Sequence, residues 1–150
     1  MTRTIGYRSI LVPVCDNVET DQALDVACRL AAEHGSSITA VAVIEVPPVL
    51  PLASHMLAEE ADAKLLLRRA EAVGDSYGVR MCRRVLRARE AGSAIAEEAT
   101  ARGVELVVLG ARRGRGRPFG RTVETVLRRS LCRVLVIAPP PAAVAARTAA

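Results

Sequence analysis

The chain has no tryptophan, one phenylalanine and two tyrosines, so it offers almost no aromatic platform on which the bases of single-stranded nucleic acid could stack. Histidine is nearly as scarce. His34 and His55 stand at no ligand-like spacing from each other or from a cysteine, and no Ser/His/Asp, Cys/His or metal-binding constellation can be assembled from them. His34 precedes Gly35 at a predicted helix end, where a cation suits the helix dipole. The cysteines, Cys15, Cys28, Cys82 and Cys132, form no C-x-x-C pair, which argues against a zinc site or a dithiol redox motif and leaves reduced thiols as the expectation. The one lysine, Lys64, lies in a helical pattern, so there is no G-K-[ST] and no Walker A loop. No window is a long uninterrupted apolar run, and "MTRTIGYRSILVPV" lacks the order of a signal peptide. A cytoplasmic protein without membrane insertion is expected.

What the chain does have is apolar content and local positive charge. Its 150 residues, 51% of them hydrophobic, are enough for one domain to bury a core without disulfide or metal staples. The formal net charge is +5, yet eight arginines face a single acid, Glu124, between Arg112 and Arg133, so the remainder is net acidic. An anionic partner should therefore be met near that segment.

Short apolar runs alternate with helical patterns. "SILVPV" at 9–14 reads as a strand covered on both faces, and "TDQALDVACRLAAEHG" as a helix with Ala23, Leu24, Ala27, Leu30 and Ala31 at helical spacing, Thr20 as N-cap and Gly35 just past its end. "SITAVAVIEV" at 37–46 is a second strand, stopped by Pro47, Pro48 and Pro51. A long helix follows from about Leu57 to Tyr77, with Leu57, Ala61, Leu65 and Ala72 among its apolar residues. "GVRMCRRVLR" is a third strand, "GSAIAEEATARG" a short helix and "VELVVLG" a fourth strand. "TVETVLRRSL" is a helix with Val123, Val126, Leu127 and Leu131 on one face, and "RVLVIAP" a fifth strand. This order predicts an α/β fold: a Rossmann-like, doubly wound, five-stranded parallel sheet with helices on both faces, as a single domain over 1–140. The Pro/Ala-rich tail, 141–150, is expected to be frayed or disordered.

In such sheets the ligand crevice lies beyond the carboxyl ends of the strands, at the point where the strand order reverses. Three loops qualify: "CDN" after the first strand, "EVPPV" after the second and "GARRGRGRPFGRT" after the fourth. Gly110, Gly114, Gly116 and Gly120 would let backbone approach an anion without a Cβ in the way, the helix opening after Gly120 would point amides at it, and Thr122 adds a hydroxyl. A phosphate cradle, a solvated arginine loop and a nucleic-acid patch built on Arg112, Arg113, Arg115 and Arg117 all remain open, the last ranked lowest. Asp16 and Asn17 could contact a ribose or cap a turn. Cys15 is expected to be an inert small residue, and the acid pairs Glu59/Glu60 and Glu97/Glu98 to be exposed helix faces.

"GRTVETVLRRSLCRVLVIAP", together with "ILVPV", Ala23-Leu24 and "ELVVLG", resembles the universal stress protein family through Gly120, Val126, Leu127, Arg128, Cys132 and "VLVI". With "RAREAGSAIAEEA" it looks most like versions of this domain appended to bacterial membrane transporters. The resemblance implies an adenine-nucleotide-binding stress-response module, a homodimer through the last strand, with ATP or AMP as ligand, with or without magnesium; since no catalytic constellation can be assembled from the residues, no catalysis beyond slow ATP hydrolysis is expected. A transporter or regulator is the kind of protein partner it implies.

Carried over by position, the site comprises Pro13, Val14, Cys15 and Asp16 after the first strand, Val43 on the second, and Gly110, Ala111, Arg112, Gly114, Gly116, Gly120, Arg121, Thr122 and Val123. The sequence departs from the family's G-x2-G-x9-G-[ST] pattern. Its middle gap is G-x3-G, its loop is three residues shorter, Arg121 stands where Ser or Thr is usual, and Cys15 replaces an Asp. Cysteine cannot replace a carboxylate as acceptor for a ribose hydroxyl, whereas Arg121 adds a fork that suits phosphate. A homodimeric interaction protein whose glycine loop has decayed is the alternative expectation.

Overall fold

A computed structural model describes residues 7–112 and 119–140. Gly114, Gly116, Arg113, Arg115, Arg117 and the tail 141–150 lie outside the described residues. Five parallel strands, β1 (Ser9–Pro13), β2 (Ser37–Glu45), β3 (Met81–Ala88), β4 (Leu106–Gly110) and β5 (Arg133–Ile137), form one sheet in the order β3-β2-β1-β4-β5. The alternating helices are α1 (Val18–His34), α2 (Leu57–Ser76), α3 (Ala91–Ala101) and α4 (Arg121–Arg129). Among the described residues, no helix is long and apolar enough to cross a membrane.

The central strands alternate their side chains between two cores. Ile10, Val12, Ile38, Ala40, Leu106 and Val108 pack with Ala23, Leu24 and Ala27 of α1 and Ala63 and Leu67 of α2. Leu11, Val41, Val107 and Leu109 pack with Ile95 and Ala99 of α3 and Val123 and Val126 of α4. Because helices cover both faces, β1 needs no polar residue on either, which is why "ILV" is fully buried.

Three helical details differ from the sequence expectation. The cap of α1 is Asn17, whose Oδ1 accepts from the Thr20 backbone N–H at 2.8 Å. The helix starts earlier than expected because Glu19 and Asp21 suit its first turn, while Thr20 turns into the core. Gly35 ends it at φ 65°, in the left-handed region that glycine enters without a Cβ penalty. On α2 the buried stripe is Ala63, Leu67, Ala70 and Gly74, while Leu57, Ala61, Leu65 and Ala72 face outward. Small residues let α2 lie close to the sheet: a Cβ on Gly74 would fall 2.8 Å from Met81 Cε. On α4 only Val123 and Val126 are buried. Leu127 is half exposed, and Leu131 escapes the face because the helix ends at Arg129 and Ser130 turns to extended backbone.

The two sheet edges differ in chemistry. The edge strand β3 carries arginines paired to flanking helices: Arg83 with Glu71, Arg84 with Glu98 and Arg87 with Glu60. Such charge discourages further strand pairing. The other edge, β5, presents half-buried Val134, Leu135, Val136 and Ile137.

Candidate functional site

The strand order reverses between β1 and β4, and a crevice of about 450 Å³ opens there at the carboxyl ends of the strands. Its floor comes from β1 and β4: Pro13, Val14 and Cys15 on one side, Leu109, Gly110, Ala111 and Arg112 on the other. One wall is β2 with the start of α3, through Val41, Val43, Glu45, Ala91 and Ile95. The facing wall is the opening of α4, through Gly120, Arg121, Thr122 and Val123. Asn17, Glu19 and Thr20 of the α1 entrance complete it.

Of the residues expected at a site, the fold thus gathers all those described except Asp16. That side chain is highly exposed, 3.9 Å from Arg69 Nη1, and lines a smaller hollow between α1 and α2 instead. The turn after β1 directs Asn17, not Asp16, toward the helix, and Asn17 is used as a cap. Glu19, Thr20, Glu45, Ala91, Ile95 and Leu109 line the crevice without having been singled out. Glu45 lies in the "EVPPV" loop after the second strand, and Ala91, Ile95 and Leu109 lie in the segments "RAREAGSAIAEEA" and "ELVVLG"; Glu19 and Thr20 reach the crevice through a helix entrance that carries no motif.

Three helix N-termini open onto this space, and they differ in how their first-turn N–H groups are met. For α1 the Asn17 carboxamide accepts from Thr20. For α3, Glu45 Oε1 accepts from Ala91 N at 3.2 Å. For α4 the N-cap is Gly120, which has no side chain to offer, and the turn closes through Glu124 N–H donating to Gly120 O at 3.1 Å. A helix start of this kind presents amides and the positive end of a dipole.

The glycines bounding the arginine loop do different jobs. A Cβ at Gly110 would be driven into the backbone of Glu19 and to 2.7 Å from Thr20 N, so the missing side chain admits α1, not a ligand. At Gly120 a Cβ would meet nothing within 4 Å, and the backbone there is an ordinary φ −72°, ψ 170°. The space beside Gly120 is open crevice.

Charge in the crevice is mixed. Glu19 Oε2 lies 3.6 Å from Arg112 Nε, with the Glu19 side chain mostly covered and Arg112 largely exposed. Cys15 is reached by solvent but sits in a concave wall. Burial there pushes its thiol above the ordinary value, the nearby Glu45 charge adds to this, and a hydrogen bond with Thr20 only partly offsets it. This is the opposite of an activated thiol. Among the described residues no group of three or more His, Cys, Asp or Glu is placed to hold a metal ion.

Comparison with known proteins fits this geometry. No curated protein sequence matches the chain. A universal stress protein family structure from Burkholderia pseudomallei superposes with TM-score 0.72 at 25% identity, covering 89% of this chain and 98% of its own. The Archaeoglobus fulgidus universal stress protein in complex with dAMP gives 0.71 at 18% identity, over 89% of this chain and 99% of its own. A universal stress protein family protein from Arabidopsis thaliana with AMP bound gives 0.68 at 14%, over 89% and 92%. The model of the universal stress protein family matches residues 6–138, and the chain belongs to that family.

Proposed function

We propose that the protein is a regulatory module that binds an adenine nucleotide, ATP or AMP, in the crevice between β1 and β4, and that it acts by binding rather than by turnover. The observation that carries this reading is the N-terminus of α4: among the described residues, and of the three helices opening onto the crevice, it is the one with no side chain shown accepting from its first amides. A phosphate there would meet those amides, the Thr122 hydroxyl and the Arg121 guanidinium. Val41, Val43, Ala91 and Ile95 supply an apolar wall of the kind a base needs. Relatives that hold AMP and dAMP support the same ligand class.

The test is calorimetric titration of ATP and then AMP, with Gly120→Val as control. Valine suits the extended backbone at this position and its Cβ meets no described atom within 4 Å, so it should block the crevice without unfolding the chain. Saturable heat that the control loses is expected. No heat up to millimolar nucleotide from folded protein would contradict the reading.

A second reading rests on Cys15, which lines the crevice in place of a carboxylate that could accept from a ribose hydroxyl, and on the shorter glycine loop. The β5 edge is apolar, and Leu127 and Leu131 are exposed beside it, so a homodimer pairing through the last strand would cover them. In this reading the module is an interaction protein whose loop has lost nucleotide. Sedimentation would then find a dimer whose stability ignores ATP and AMP.

A further inference from the structure

The crevice walls carry two acids as well as two bases. Among its described lining residues these are Glu19 and Glu45, against Arg112 and Arg121. Glu19 is the more confined acid. Its side chain is only 19% exposed, it pairs with Arg112, and its backbone is wedged against the Cα of Gly110. It stands in the first turn of α1, where the helix dipole favours a negative charge. The carboxylate therefore stays beside the end of β4, and Arg112 reaches a ligand only in competition with it. Glu45 is also held, by the Ala91 N–H. In a half-enclosed site, low-dielectric walls make a like charge felt more strongly than it would be in open water.

We infer that Glu19 limits the phosphate charge the crevice accepts, so that a nucleoside monophosphate is selected over a triphosphate. The inference rests on the nucleotide reading above. One phosphate group can be met by the α4 amides and Arg121 alone. A longer phosphate chain adds negative charge whose next described cation is Arg112, already opposed by Glu19. An uncharged nucleoside is indifferent to the pair.

Adenosine, AMP and ATP are titrated without magnesium, at low salt, into the wild type, Glu19→Gln and Glu19→Asp. Glutamine keeps the shape and can still accept from Arg112; aspartate keeps the charge. The wild type and Glu19→Asp are expected to bind AMP more tightly than ATP. In Glu19→Gln, ATP affinity should rise about tenfold, or about 1.4 kcal/mol, AMP affinity by less, and adenosine affinity hardly at all. An unchanged AMP-to-ATP ratio in Glu19→Gln, ATP preferred by the wild type, or a uniform loss across all three ligands overturns the inference while leaving nucleotide binding in place. No binding by any of the three proteins, each shown to be folded by thermal melting, overturns the nucleotide reading and this inference with it.

Discussion

A methyl group at Gly110 has nowhere to go, because the backbone of Glu19 and Thr20 already fills its place. Gly110→Ala should therefore destabilise the protein by about 2–3 kcal/mol through overpacking, measured by urea unfolding. Gly120→Ala, which has room for its Cβ but puts a poorer residue at the N-cap, should cost no more than about 1 kcal/mol while weakening nucleotide binding. Sequence alone could not separate these two glycines: both flank the same loop, and the difference lies in which element packs against each. Cys15 gives a second residue-scale prediction. With its thiol held above the ordinary value by burial, it should alkylate slowly at pH 7 to 8, and AMP should slow it further; exposed Cys82, on the distant β3 edge, should be unaffected by AMP. Mass spectrometry of iodoacetamide-treated protein reads both sites. Equal protection of Cys15 and Cys82 would deny the crevice its ligand.

At the scale of elements, α3 and α4 meet so closely at Gly92 that a Cβ there would lie 2.6 Å from Thr125 Cβ and 3.0 Å from the Thr122 carbonyl oxygen. Gly92→Ala should push the start of α4 outward. Its stability cost should be about 1–3 kcal/mol, and phosphate-bearing ligands should suffer more than adenosine in titrations. The other end of α3 is tied to β3 by Glu98, which accepts from Arg102 at 2.6 Å and from Arg84 at 3.2 Å. Burial works to raise the Glu98 pKa, but the two arginines outweigh it and hold the carboxyl below its ordinary value. A depressed carboxyl contributes stability above its unfolded value and loses it as pH falls through the folded one. Glu98→Gln should thus cost about 1 kcal/mol at pH 7, and the gap to wild type should close below about pH 4.5, as followed by denaturant melts. The helices also mark where sequence reading fell short. On α2 the apolar residues do not mark one face: Leu57, Ala61, Leu65 and Ala72 face outward while Ala63, Leu67, Ala70 and Gly74 face the sheet, a choice made by packing against the core. On α1 Asn17 and Thr20 were both able to cap, and the turn after β1 chose the former.

For the whole molecule, the parallel sheet was legible because strands buried on both faces carry near-continuous apolar runs, as in "ILVPV", "AVAVI" and "LVVL"; the lateral order β3-β2-β1-β4-β5 comes from the structure. The crevice location followed from that order and the switch-point rule. Of its acidic lining, Glu45 stands in the "EVPPV" loop that the rule marks, whereas Glu19 reaches the crevice through tertiary packing of α1 that no spacing announces. The central claim is that this crevice takes an adenine nucleotide with its phosphate at the start of α4. A titration of AMP followed by amide nitrogen–proton resonances tests it most directly. The account predicts saturable shifts concentrated at Arg121, Thr122 and Val123, with smaller ones at Cys15, Val43 and Gly110, and none along β3. Shifts confined to β3 or β5, or no shifts at millimolar AMP, would contradict it.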